Sequence, residues 1–304
     1  MSPAQVSPGA AATVHLVDAS PYIFRAHFSI PSSIVGPDGA RTGAVYGFVS
    51  FLLKLIADEK PTHLAIAFDR NLVGSFRNAF YPAYKAHRDT PPPELVAQID
   101  PCLEAARALG AAAFIDDEFE ADDLIATLLA PLAAAGHRAV VVTSDKDLAQ
   151  LVSERVTLFD YGKETRYDAA AVRAKFGVRP DQITDLLALA GDAVDNIPGV
   201  AGIGAKTAAE ILVLFDHVED LYARLDELRL SRLRGAKSLY TKLLEQRDIA
   251  FLSKRLATVA TDAPVRASLA DLAYRGADAA AVDALFSRLG FAALRERVIG
   301  KAAP

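Results

Sequence analysis

Asp18, Asp69, Asp145 and Asp147 each stand where a run of apolar residues ends: Asp18 after residues 14–17, Asp69 after 64–68, and the Asp145/Asp147 pair after 139–143. If those runs are parallel strands, their exits gather at one carboxyl edge, the place where open α/β folds bind ligands. Two carboxylates about 4 Å apart repel by roughly 4 kcal/mol at an effective dielectric near 20. A cluster of them is tolerable only when protons or metal cations neutralise it. Metal is the expectation here, with solvated loop acids as the plainer alternative.

Further acids enlarge the set. Glu120, Asp122 and Asp123 open a helix whose stripe of Leu124, Ile125, Leu128, Leu129 and Leu132 has the spacing of a buried face. One acid in a first turn complements the helix dipole; this many overfills that role, and Glu120 and Asp123, at i and i+3, are expected to project together. Asp145 and Asp147, two apart in an extended segment, are expected to point to the same side. Asp192 and Asp195 add a pair just before a glycine-rich turn. These ligands are all carboxylates, without histidine or cysteine, which favours hard ions such as Mg²⁺ or Mn²⁺ over Zn²⁺.

Gly199, Gly202 and Gly204, followed by Lys206 and Thr207, form a hairpin before a helix. It fails as a nucleotide-binding P-loop because Ala205 separates Gly204 from Lys206. Its glycines and helix N-terminus suit close approach to a DNA phosphate; a plain helix-to-helix turn is the alternative. In 76–93, Arg77, Lys85, His87 and Arg88 are interleaved with Phe76, Phe80, Tyr81 and Tyr84. That mixture suits single-stranded nucleic acid, with cations on phosphates and rings on bases, or else a mobile surface loop. Between Arg224 and Arg255 nine basic residues outnumber four acids, which reads equally as a solvated helical face or a phosphate-binding one.

The elements that must position these residues follow from pattern. Strands are expected at 14–17, 64–68, 111–115, 139–143 and 156–159, alternating with helices, which predicts βαβ units and a mostly parallel central sheet flanked by helices. From 181 onward the pattern is helical, with helices at 183–190, 205–215, 218–225 and 238–250 and no strong strand after them. The domains expected are a tail over 1–12, disordered and without signal-peptide features, an α/β catalytic domain over 13–180 and a helical domain over 181–304. At 304 residues and 52% hydrophobic, the chain can bury a substantial core. It has no apolar run long enough to cross a bilayer. Its one cysteine, Cys102, excludes an internal disulfide and fits a reducing cytosol. The net charge of −5 argues against polyanion binding by the whole surface, though not by a local face.

In order along the chain, LVDASPYIFRA, AFDR, YKAHRDTPPPEL, EADDLIATL, TSDKDLAQLV, GDAVDNIPGVAGIGAKTA and LSKRLATV resemble the 5′ nuclease family of bacterial 5′-3′ exonucleases and flap endonucleases, including the 5′ nuclease domain of DNA polymerase I. The resemblance runs from Val14 to about Val259. It implies a PIN-like core with a helical arch at about 70–95 and a helix-hairpin-helix module gripping duplex DNA. It makes Asp18, Asp69, Glu120 and Asp122 ligands of one metal, and Asp122 or Asp123 with Asp145, Asp147, Asp192 and Asp195 ligands of a second. Arg25, Arg77, Lys85 and Arg88 would contact phosphates near the cut, and Tyr84 would stack on a base. K⁺ would bind hairpin carbonyls. Ala19, where glycine is usual, and Ala193-Val194, in place of a more polar pair, depart from the family pattern without removing a ligand.

The function so implied is two-metal hydrolysis of DNA at 5′ flaps, overhangs or nicks during replication and repair, by a monomer in the nucleoid-associated cytoplasm, with RNA primers left open as substrates. A flap-DNA-binding protein with weak or no turnover and an RNA-cleaving nuclease are the alternatives. Whether the chain is free-standing or part of a larger polymerase is left open.

Overall fold

In β1 (Thr13–Asp18) every residue after the first is buried, so the strand is covered on both faces and belongs at the centre of a parallel sheet. The computed structural model describes residues 11–71 and 74–300, and the tail expected at 1–12 lies almost wholly outside the described residues. It places β1 between β2 (His63–Asp69) and β4 (Arg138–Val142), with β3 (Ala112–Asp116) beyond β2 and β5 (Val156–Asp160) beyond β4. All five are parallel. The chain moves outward to β3 and then returns across the sheet to β4, so the crevice between the ends of β1 and β4 is a topological switch point. β6 (Thr165–Tyr167), which was not expected, pairs antiparallel with β5; three residues are too few to show a period.

Alternation sends Val17, Ile66, Phe68 and Val142 to one face and Leu16, Ala65, Ala67 and Val141 to the other. Helices Ser20–Ser29, Gly43–Glu59 and Ile99–Ala108 cover the first face through residues such as Phe48 and Leu52. Helix Ala121–Ala134 covers the second with Leu124, Ile125 and Leu129. Each such side chain contributes roughly 1.5–3 kcal/mol on full burial, which fixes the helix starts, and the acids on them, relative to the strand ends.

Beyond residue 182 come helices Ile183–Ala190, Ala205–Leu214, Val218–Ala223, Leu225–Leu230, Ala236–Glu245 and Arg247–Ala257. The helix expected over 238–250 is two helices, because the backbone leaves helical values at Gln246. The Gln246 side chain there accepts a bond from the Ala201 amide of the glycine hairpin, at 2.8 Å. The domain expected over 181–304 is not wholly a helical module. Leu272 and Tyr274 bond to the start of β2, and helix Ala279–Leu289 packs Val282 and Phe286 into the same core as Phe48 and Phe68. The stripe of Val282, Leu285, Phe286 and Leu289 finds its apolar partner on the sheet side and not within the helical module.

The 70–95 segment, expected as a helical arch, is among the described residues a run of turns with two four-residue helical pieces, Phe76–Ala79 and Pro93–Val96. Pro82, the triple proline at 91–93, and Lys85 at φ 53° each interrupt a helix.

The hairpin is tied to the end of helix Ile183–Ala190 by close backbone approach: a Cβ at Gly199, whose φ is +61°, would lie 2.2 Å from the Gly191 amide nitrogen. Gly199→Ala should therefore destabilise the protein by about 2–3 kcal/mol or more in urea unfolding; a loss under about 0.5 kcal/mol would show that the hairpin can relax.

Candidate active site

Asp18 ends β1 and Asp69 ends β2. Hydroxyls and amides that the sequence reading passed over hold both carboxylates. Thr143, at the end of β4, donates its hydroxyl to Asp18 at 2.9 Å, and the Ser20 amide donates to the same carboxylate at 3.2 Å. The Ser20 hydroxyl and the Ala121 amide donate to Asp69, the latter at 2.7 Å. The missed signal was a hydroxyl residue next to the acids at two strand ends, Ser20 after Asp18 and Thr143 before Asp145, each serving the carboxylate of a neighbouring strand. Asp18, Asp69, Glu120, Asp122 and Asp145 line one cavity of about 220 Å³ together with Lys85 and Arg88.

Asp145 and Asp147 do not share a side. Lys146 turns into helical backbone and Asp147 starts a short 3₁₀ helix, so the expected extended alternation fails. Asp145 stays with the cavity, while Asp147 joins Asp192 and Asp195, one carboxylate oxygen from each of the three lying within 4.8 Å of the others. The Asp147 amide bonds Asp145 at 2.8 Å and ties the two groups together.

Burial and mutual repulsion disfavour the charged forms. Burial first, then Asp69, pushes Asp18 up to about 8; burial, then Asp145 and Asp192, pushes Asp147 up to about 8. Asp122 is raised well above the usual carboxylate range by burial and by Asp145 and Asp18, and Asp145 is raised too, chiefly by burial. Counting Asp123 behind the cavity, nine carboxylates here face four cations, Lys85, Arg88, Lys146 and the Arg77 shared by Glu120 and Asp123. Two divalent ions would come within one charge of cancelling the excess. The donors are oxygen only, so the residues fit hard divalent metal at this edge.

Asp123 and Arg77, both expected at the site, pair with each other outside the cavity. Asp123 is fully buried; it faces Arg77 at 2.8 Å through both carboxylate oxygens and accepts the Ala260 amide. Glu120 and Asp123 do converge, both accepting from Arg77 Nη1, at 3.1 and 2.8 Å, but of Asp122 and Asp123 only Asp122 lines the cavity. Arg77 is 2% exposed and is no phosphate ligand. Its guanidinium binds Asp123, Glu120 at 3.1 Å, and the carbonyls of Leu256 and Thr258 at 2.9 and 3.1 Å. The pair joins the helical module to the helix that carries the site.

Tyr84 is not free to stack on a base: it is 3% exposed, with its hydroxyl 3.1 Å from Glu120 and from Asp195. Lys85 bonds Glu120 at 2.5 Å and lies 3.6 Å from Asp195; Arg88 bonds Asp195 at 2.5 Å. Arg25 is exposed and packs on Gly162, away from the carboxylates. In the hairpin, Gly199 is buried, its amide donating to Ser253. Gly202, Gly204 and Lys206 are exposed and Thr207 half-buried. The first-turn amides of helix Ala205–Leu214 face outward from Gly204, a cap without a side-chain bond. One of the hairpin carbonyls, the group of acceptors expected to take K⁺, is that of Gly202, and the Lys242 ammonium sits on it at 3.1 Å.

A carboxylate-lined crevice at the switch point of a parallel sheet, with a glycine hairpin at a helix N-terminus beyond it, defines an α/β protein whose acidic edge suits hard cations and whose hairpin suits phosphate. Residues 13–177 match the family model described as 5′-3′ exonuclease, N-terminal resolvase-like domain, and 178–280 that of the 5′-3′ exonuclease C-terminal SAM fold. This chain belongs to the 5′-3′ exonuclease family.

Among its relatives, DNA polymerase I of Bacillus caldotenax is 41% identical over 93% of this chain and 32% of that protein. DNA polymerase I of Pseudomonas aeruginosa is 41% identical over 91% and 30%. The chain thus spans about a third of the length of the curated relatives it matches. Its fold is similar to that of T5 5′-exonuclease with divalent metal ions (zinc) bound, at TM-score 0.68 and 21% identity over 94% of this chain and 99% of that one. It is also similar to the catalytic core of Rad2 in complex with DNA substrate, at 0.61 and 17% over 95% and 90%.

Arg77→Gln should cost about 3–5 kcal/mol of stability, because it strands Asp123 as a buried unpaired charge; a fold of unchanged stability with weakened DNA affinity would restore the phosphate-contact role. Asp122 carries a raised value in the fold, so without metal its charge costs stability from about pH 4 up through that value. Asp122→Asn should accordingly raise the metal-free melting point at pH 8 by the equivalent of about 1 kcal/mol while shrinking the further rise on adding Mn²⁺. A lower metal-free melting point would contradict this.

Proposed function

We propose that this chain is a two-metal-dependent 5′-3′ exonuclease and 5′-flap endonuclease, using Mg²⁺ or Mn²⁺ to hydrolyse DNA phosphodiesters where duplex meets single strand. The observation that carries the reading is the division of eight carboxylates into two adjoining groups, the cavity of Asp18, Asp69, Glu120, Asp122 and Asp145, and the trio of Asp147, Asp192 and Asp195. Bound divalent ions would activate a water as nucleophile and stabilise the leaving oxygen.

The chain's own residues do the rest. Thr143, Ser20 and the Ala121 amide hold the Asp18 and Asp69 oxygens in place. Lys85 and Arg88 line the cavity and offer positive charge to the phosphoryl oxygens as charge grows on them. Their strap is anchored from behind: the Lys85 amide donates to the Asp195 carbonyl at 3.0 Å, and Asn196 donates to the Ala83 carbonyl at 2.7 Å. Exposed Gly202, Gly204 and Lys206 present amides and a cation to the duplex backbone, a contact that reads shape more than sequence.

The substrates in this reading are DNA with 5′ flaps, overhangs or nicks, with RNA primers included, acted on by a monomer at the nucleoid. K⁺ on the hairpin carbonyls is part of this reading. Among the described residues no helix is long and apolar enough to cross a membrane.

A labelled 5′-flap duplex tests the reading. Mg²⁺-dependent cleavage by the native chain, abolished by chelator and by Asp147→Ala, is the expected result; binding with no cleavage would leave a flap-binding protein in its place. Lys85→Ala should slow cleavage by about 10²–10³ with duplex affinity within about twofold, and equal losses in both would refute its role at the phosphate.

A further inference from the structure

The structure sorts the basic residues of 224–255 by whether the protein already uses their charge. Arg224 is bound by Asp220 and Glu227, and Lys254 by Asp185 and Glu219. Arg247 and Arg255 lie over aromatic rings, Lys242 is on the Gly202 carbonyl, and Arg229 rests over Tyr240 with Asp226 at 3.6 Å. Arg232, Arg234 and Lys237 remain. All three are exposed, and among the described residues none has an ion pair, side-chain hydrogen bond or ring contact. They lie on the connection between helices Leu225–Leu230 and Ala236–Glu245 and on the second helix's first turn. From residue 228 to 244 the chain has five basic residues and no acid, although acids make up 38 of its 304 residues.

Unpaired cations in an acid-free stretch of a chain with net charge −5 lack an anionic partner within the molecule. Position supplies one. Lys242 in helix Ala236–Glu245 and Gln246 just past its end both touch the hairpin, and the start of the helix lies six to ten residues, or about 9–15 Å, back along the axis. The connection therefore sits about 10–15 Å from the hairpin, or three to four base pairs along a duplex at about 3.4 Å per phosphate on one strand. Resting on the reading that the hairpin holds duplex DNA, we propose that Arg232, Arg234 and Lys237 form a second duplex anchor, gripping phosphates three to four base pairs beyond the hairpin contact. This anchor sets how much duplex the enzyme requires and how steeply salt weakens it, without taking part in cleavage.

The test compares the native chain with an Arg232→Gln/Arg234→Gln/Lys237→Gln triple variant, binding a 5′-flap duplex in Ca²⁺ at 50–300 mM KCl by fluorescence anisotropy. Removing two to three phosphate contacts should lower the slope of log affinity against log salt by about 2–3. Cleavage at saturating substrate in Mg²⁺ should stay within about twofold of native, since the chemistry is elsewhere. Shortening the duplex should weaken the native chain to the variant's affinity and leave the variant unchanged. An Arg138→Gln/Arg297→Gln control, removing two exposed cations elsewhere, should keep the native slope. An unchanged slope in the triple variant, an equal fall in the control, or a loss independent of duplex length would overturn the proposal; the first would give the face to an acidic protein partner. Failure of the native chain to cleave would refute the nuclease reading instead, and the salt slopes would still judge the anchor.

Discussion

Carboxylates crowded at one sheet edge repel one another, and the rest of the structure answers that repulsion. Where strands run parallel, their carboxyl ends coincide, so acids far apart in sequence are forced into one crevice. Asp18 and Asp69 sit on neighbouring strands, β1 and β2, and Asp145 follows β4 on the other side of β1. Nothing in their own elements relieves them. The relief within the chain comes from Lys85, Arg88, Lys146 and the Arg77 shared with Asp123, which together fall short of neutrality, and the remaining deficit suits the crevice to cations.

Arg77 shows how the same pressure shapes the architecture. A guanidinium offers five donors in a fixed fork, and here they reach two carboxylates of the site-bearing helix and two carbonyls of the helical module. The Ala260 amide, donating to Asp123 at 2.7 Å, closes the junction from the other side. The glycine hairpin and the carboxylate edge are thus held in one frame by a buried charge pair, so in the proposed function duplex held at the hairpin would lie at a fixed distance from the carboxylates. The strap through Tyr84, Lys85 and Arg88 is closed over the same acids and anchored to the 192–197 loop.

Much of the fold was legible because its signals are local. Apolar runs ending in acids marked five of six strands, and the stripe from Leu124 to Leu132 marked the helix that presents Asp122. The failures share a cause. Helix breaking at Gln246 follows from a bond to Ala201, 45 residues away. The return of helix Ala279–Leu289 to the sheet follows from where its apolar stripe finds a partner. The turns of the 76–88 strap are the exception in part, since Pro82 is a local signal, whereas the left-handed backbone at Lys85 goes with its amide bond to Asp195 and the burial of Tyr84.

Residue types and spacing alone determined the chemistry: oxygen ligands in number, hence hard metal, and a glycine hairpin suited to phosphate. Tertiary structure alone decided which acids line the crevice. Asp122 and Asp123 are neighbours with the same side chain, and one lines the cavity while the other is sealed against Arg77. A helix turns about 100° per residue, so adjacent side chains face different surroundings, and only packing fixes which of them meets the site.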